Sequence, residues 1–241
     1  MTATDPTDPT DPAAPADSVD IVVGEETINE PEETPRQEPL DAGTAMLRAY
    51  RDDGPICIGL GILSRGLLPP LPGALLALVA SSVLLATGLG EQRSAALFAP
   101  AMVLLLTGPA SRHGHTGRLD WLVPPIIRAI EYGYLAVLGF AQGVPAPLVF
   151  LLLGVLAFHH YDTVYRTRQG HWPADWLFPA GLGWEGRMLL VAFFGLSGLL
   201  PFAYAALAAY LGVLFACESA VSRAQTARGR GVMADLEEEG T

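Results

Sequence analysis

Long apolar runs separated by short polar breaks begin near Leu71 and continue almost to the C-terminus, at roughly 71–89, 94–109, 122–141, 145–162, 187–200 and 201–218. About 20 apolar residues cross a hydrocarbon core, so several of these runs are short and the fifth is the weakest. Residues 188–217 read alternatively as one helix. Thirty residues would extend about 45 Å, well beyond a ~30 Å core. Gly198 and Pro201 supply a break near the middle, so a tight helical hairpin is predicted. The pattern as a whole predicts an all-α, polytopic membrane helical bundle of about six transmembrane helices over residues 71–222.

The flanks read differently. Residues 46–70 form a juxtamembrane segment in which Ile56 to Leu68 is apolar but interrupted by Ser64 and Arg65 and closed by Pro69-Pro70. It is too short to span, and an interfacial helix on the inner leaflet is expected, with a re-entrant segment as the alternative. Residues 1–45 open with a threefold Thr-Asp-Pro repeat and are rich in proline and acid. That composition cannot offset its conformational entropy by burial, and a disordered N-terminal tail is expected. The start lacks the cationic and apolar regions of a secretory signal. Residues 223–241 are expected to be a C-terminal tail.

Arginine placement tests the six-span reading independently, because short cytoplasmic loops are enriched in positive charge. With the N-terminus inside, Arg48, Arg51, Arg65, Arg112, Arg118, Arg166, Arg168, Arg187, Arg223, Arg228 and Arg230 fall on the cytoplasmic side and only Arg93 outside. Both termini are therefore predicted in the cytoplasm, with the bundle in the plasma membrane.

Composition agrees with a membrane location: 51% of residues are hydrophobic, 16% are charged and the mean hydropathy is positive. The net charge of −11 belongs to the tail, since residues 1–41 hold twelve Asp/Glu against Arg36 and the remainder balances. No basic patch points to nucleic acid. All fourteen cations are arginine, which excludes lysine-based Schiff-base or P-loop chemistry. Cys57 and Cys217 read as two inert apolar thiols.

In this orientation the ionisable residues gather at the cytoplasmic ends of the spans. Pro124-Pro125 suit a first helical turn, which places Arg128 about 6 Å along the helix and Glu131 one turn deeper. Their i,i+3 spacing puts them on one face, where they pair either structurally or as part of a site. His159, His160 and Asp162 close the fourth span, with Arg166 just beyond; Glu185 and Arg187 open the fifth; Glu218 closes the sixth. A polar cavity open to the cytoplasm is expected. The candidates for binding a lipid headgroup are Arg112, Asp120, Arg128, Glu131, His159, His160, Asp162, Arg166, Glu185 and Arg187. His113 and His115 could join His159, His160 and Asp162 in a metal site, but no metal-ligand motif supports that and no metal is expected. The aromatic residues Tyr132, Tyr134, Tyr161, Tyr165, Trp121, Trp172, Trp176 and Trp184 read as interface or packing residues. No catalytic motif stands in a usable context, so no catalytic residue is assigned and the cofactor stays unknown.

The stretch Gly117-Arg-Leu-Asp120-Trp-Leu-Val-Pro-Pro-Ile-Ile-Arg128-Ala-Ile-Glu131-Tyr-Gly-Tyr, with Phe158-His-His-Tyr-Asp162-Thr-Val-Tyr-Arg166 and Gly183-Trp-Glu-Gly-Arg187, resembles an uncharacterised actinobacterial membrane domain. That domain is often fused to CDP-alcohol phosphatidyltransferases, and the similarity covers about residues 45–222. The layout also resembles the transferases themselves, whose four motif aspartates bind two metal ions. Gly108-Pro-Ala-Ser111-Arg112 overlays the GxxAR portion, and Gly117 with Asp120 part of the second half. Thr107 and Pro124 stand where aspartates belong, so the resemblance implies a degenerate copy without two-metal chemistry.

The leading expectation is thus a non-catalytic or accessory membrane protein of phospholipid or phosphoglycolipid synthesis, whose cavity holds an anionic lipid headgroup through Arg112, Arg128 and Arg187. Expected partners are membrane lipids and either a CDP-alcohol phosphatidyltransferase or a second copy of the chain, with no nucleic acid. The alternatives are a lipid-phosphate transfer enzyme using Glu131, His159 or His160 as acid/base groups, and a small transporter built on Arg128 and Glu131.

Overall fold

The structure, a computed structural model, describes residues 42–88 and 95–239, with side chains described as far as Ala224. The acidic tail and residues 89–94, with Gln92 and Arg93, lie outside the described residues. Every described regular element is helical: α1 (Ala42–Arg51), α2 (Pro55–Leu63), α3 (Pro70–Gly88), α4 (Ala99–Thr107), α5 (Val123–Ala141), α6 (Ala146–Arg168), α7 (Leu177–Ala180), α8 (Gly183–Leu196) and α9 (Leu200–Glu239), with 3₁₀ turns at Ala95–Phe98, Gly108–Ala110 and Asp120–Leu122.

Proline marks where the long helices begin. Pro70 and Pro72 open α3, Pro100 opens α4, Pro124 and Pro125 open α5, Pro147 opens α6 and Pro201 opens α9. A first-turn residue has no intrahelical partner for its N–H, so proline costs nothing there and its fixed φ presets the helix. The short link Ser197–Leu199, with Gly198 at φ 70°, separates α8 from α9, which resolves residues 187–218 into two helices. The fifth run starts earlier than its hydropathy alone indicates, at Leu177, because α7 and the polar first turn of α8 continue it inward. Helix α9 continues through the segment expected to be a C-terminal tail, to Glu239.

Among the described residues, five stretches are long and apolar enough to cross a membrane: Pro70–Gly88, Asp120–Ala141, Ala146–Arg168, Leu177–Leu196 and Leu200–Ala224. A shorter apolar run, Ala96–Ala110, lies between the first two of them in the chain. Gly73 at the start of α3 lies against Leu106 near the end of α4, while Leu97 lies against Gly195 at the far end of α8. Its two flanking 3₁₀ turns stretch this segment to roughly 27 Å, because 3₁₀ helix rises faster per residue than α-helix. The protein is accordingly a multi-pass helical membrane protein.

Burial follows the bilayer logic of small residues inside and large apolar ones outside. Helix α3 buries Ala74, Ala77 and Ser81 and exposes Leu75, Leu76, Val79 and Val83. The centre of the bundle is filled by Tyr134, Leu135, Leu152, Leu156, Trp184, Met188, Tyr204 and Phe215. At one end, α1 and α2 fold over the bundle mouth. One face of α2 docks: Cys57 is buried and its carbonyl accepts a hydrogen bond from Ser111 Oγ at 2.8 Å, while Ile62 and Leu63 face outward. The thiols are unpaired, and burial first, then Asp53 and Glu185, pushes the Cys57 thiol far above its usual range.

Candidate functional site

The polar residues of the spans meet at the end covered by α1. Helix α1 stops at Arg51, and Asp52 then takes the left-handed conformation at φ 51°, turning the chain into the bundle. Short polar residues tolerate this conformation better than others. The turn inserts two carboxylates among the membrane helices, with Asp52 2% and Asp53 8% exposed.

Three helices converge on Asp52. Its Oδ2 lies 2.8 Å from Arg187 Nη2 of α8, 3.3 Å from His160 Nε2 of α6 and 3.9 Å from Arg128 Nη1 of α5. Its Oδ1 lies 3.8 Å from His159 Nε2. Arg187 is fully buried and committed: Nε donates to Glu131 Oε1 at 2.7 Å and Nη1 to the Gly181 carbonyl at 3.0 Å. Arg128 donates to Glu131 Oε2 at 3.1 Å and to the Tyr50 carbonyl at 2.7 Å. The i,i+3 pair read from the sequence therefore forms, but Glu131 is shared between two guanidiniums. Two carboxylates and two guanidiniums cancel in charge, which is what makes their burial tolerable. Burial would raise the Asp52 carboxyl; Arg187, then His159 and His160, outweigh it and hold it well below the usual carboxylate range. His160 Nδ1 lies 2.6 Å from Tyr132 Oη, which completes a chain from Asp52 through His160 to Tyr132. His159 stacks on Phe215 with ring centroids 3.8 Å apart.

Asp53 belongs to a second layer. It binds Arg51 through both oxygens, at 2.7 and 3.3 Å, and accepts from Trp184 Nε1 at 2.9 Å. Trp184 is thus a packing residue with a satisfied N–H.

The other candidates stand elsewhere. Glu185 accepts from the N–H groups of Gly54 at 2.9 Å and Cys57 at 3.1 Å, so it caps the start of α2 from the opening turn of α8. The close approach requires glycine twice: a Cβ on Gly54 would meet Glu185 Oε1 at 2.6 Å, and Gly183, at φ 60°, has the Gly54 backbone against it. Asp120 accepts from the Gly117 N–H at 2.9 Å and closes the loop before α5. Asp162 and Arg166 join Glu218, Ser219 and Arg223 in a separate cluster between α6 and α9. His113 and His115 contact each other, edge to face at 6.4 Å, and not His159 or His160. Burial and nearby Arg51 lower the His115 imidazole to about 4.

Arg112 is exposed and lines a cavity of about 380 Å³ between α1, α2 and the 172–178 segment, with Arg48, Asp53, Ser111, Trp172, Asp175 and Phe178. Arg128 and His160 line a smaller one of about 230 Å³ on the other side of Ala49. Among the described residues these two cavities share Ala49 of α1 in their linings. Arg48, Asp52 and Asp53 were missed as candidates because they precede the first span; the Arg-Asp-Asp-Gly turn beside unpaired span arginines was the available signal.

The fold and the buried charge cluster define a polytopic helical membrane protein with a polar mouth. The chain belongs to the family of unknown function DUF5941, whose model matches residues 41–237. Nothing among the curated proteins or the solved structures matches it.

Proposed function

We propose that this protein is a non-catalytic accessory component of phospholipid or phosphoglycolipid synthesis in the plasma membrane, holding an anionic lipid headgroup at the cytoplasmic end of its bundle. The observation that carries this reading is the cavity of about 380 Å³ lined by Arg48 and Arg112. Arg48 donates to the Arg112 carbonyl at 2.8 Å, and its Nε is buried without a protein partner. Burial first, then Arg112 and Arg51, lower the Arg48 guanidinium, and an anion beside it would offset the second of these causes. Trp172, Phe178 and Ile58 give the apolar wall that an acyl chain prefers. Arg128 serves as a second headgroup contact from the neighbouring cavity. Arg187, sealed by protein carboxylates, positions the floor rather than touching the lipid. Work beside a CDP-alcohol phosphatidyltransferase, or as a homo-oligomer, is the partner proposal, supported by the sequence resemblance.

Native mass spectrometry of the purified protein tests this. Wild type should carry anionic phospholipid or phosphoglycolipid, and Arg48→Leu/Arg112→Leu should fold yet lose it. A folded double variant with its full lipid complement would end the proposal. The second reading, an enzyme of lipid-phosphate transfer, is favoured by the Asp52–His160–Tyr132 chain, which has the order of an oriented acid/base group. Turnover of a bound lipid-phosphate that His160→Gln abolishes would select it. The orientation is tested by reporter fusions: those after Arg118, Arg168 and Arg230 should report cytoplasm, and those near Gly143 the outside.

A further inference from the structure

We infer that Asp52, His159 and His160 form a site for a transition-metal ion. The proposal is independent of the lipid reading. One ligand atom from each residue lies within 4.8 Å of the other two, and all three residues are at most partly exposed. His160 Nε2 lies 3.3 Å from Asp52 Oδ2 and His159 Nε2 3.8 Å from Asp52 Oδ1, near the edge of about 3.3 Å that a tetrahedral ion with ~2.0–2.1 Å bonds requires. Small side-chain rotations close the remainder.

Two further features suit a metal better than a plain hydrogen-bond cluster. His159 is 6% exposed, yet its Nε2 stands 3.8 Å from Asp52, beyond hydrogen-bond range. An ion held between the two groups would draw both into its coordination sphere. The outer partners are also those that fix metal ligands in place: Tyr132 Oη lies 2.6 Å from His160 Nδ1, which directs the Nε2 lone pair toward the site, and Arg187 holds Asp52 Oδ2. The phenol also stacks on the His160 ring, at 5.7 Å.

Charge chooses the metal. Asp52 and Glu131 are already paired with Arg128 and Arg187, so no surplus carboxylate is present and a divalent ion would need an anionic fourth ligand to keep the buried cluster neutral. Magnesium and calcium, which depend on several oxygen ligands, are excluded by that count. Two imidazole nitrogens and one carboxylate suit zinc or its neighbours, with the fourth position taken by an anion. The site escapes a sequence search because Asp52 is 108 residues from His160.

The test uses full-length protein in detergent, purified without an oligohistidine tag, and titrated with Zn²⁺ and Co²⁺. One equivalent should bind per chain, with the visible bands of four-coordinate Co²⁺. His159→Gln and His160→Gln should each weaken binding at least about tenfold while the protein still melts cooperatively. His113→Gln/His115→Gln should bind as wild type does. Folded wild type that takes up neither ion would overturn the proposal, as would uptake that both His159→Gln and His160→Gln leave unchanged, the sign of surface binding at a residue such as His171.

Discussion

Two buried charge clusters sit near the polar end of this bundle, and they differ in how much of the chain each one ties together. In the α6–α9 clasp, Arg166 grips Glu218 with a two-pronged hydrogen bond at 2.8 and 2.7 Å, and Asp162 takes Ser219 at 2.8 Å and Arg223 at 3.3 Å. It joins two neighbouring helices, and Arg223 on its rim is 67% exposed. The Asp52 cluster joins α5, α6, α8 and the turn after α1, with Arg187 fully buried at its centre. The first is a fastening between helices that already pack. The second makes the chain outside the membrane part of the bundle, because only Asp52 completes the neutralisation of Arg187 and Arg128. Losing one member therefore has very different costs in the two places.

The largest effect is expected at Asp52. Asp52→Ala leaves Arg187 buried with one carboxylate too few and should cost about 3–5 kcal/mol, read as a large fall in melting temperature in detergent. A loss no greater than that of Glu218→Gln would erase the distinction between the clusters. Glu218→Gln removes one charged partner from a fork of limited depth and should cost about 1–3 kcal/mol.

The pH dependence separates the Asp52 cluster from the loop above it. The folded-state shift of Asp52 is downward, so its contribution is complete above the usual carboxylate range, near pH 4, and fades only in stronger acid. His115 also shifts downward, to about 4 from 6.5, and is held neutral. The unfolded chain gains that proton first, so stability should fall as pH drops from 6.5 toward 4, and His115→Gln should flatten that slope. A slope in this interval that survives His115→Gln would place its origin elsewhere.

The smallest effect is expected at Arg223. Arg223→Ala should change stability by less than about 0.5 kcal/mol, since solvent screens an exposed ion pair. A larger loss would show that the clasp extends along α9 beyond the membrane.

The order of apolar runs and the opening prolines determined the helices, because a bilayer demands internally hydrogen-bonded segments of a set length and proline is at ease only in their first turns. The gathering of Arg128, Glu131, His159, His160 and Arg187 at one end was legible for the same reason: charge is expensive at the bilayer centre and collects at span ends. The pairing of Arg128 with Glu131 was legible too, since both lie on one helix at a fixed spacing.

What only the tertiary structure decided is which of these residues meet. Asp162 stands two residues from His160, yet it belongs to the α9 clasp, because successive positions on a helix point about 100° apart and face different neighbours. Asp52 reaches Arg187 across 135 positions because one left-handed turn carries it inward, and Glu185 caps α2 across a similar gap. Such contacts depend on how helices are packed and rotated, and local periodicity does not encode that. The sequence by itself determined a helical membrane bundle with charge at its ends, and the packing decided that the chain before the first span supplies the carboxylate at its centre.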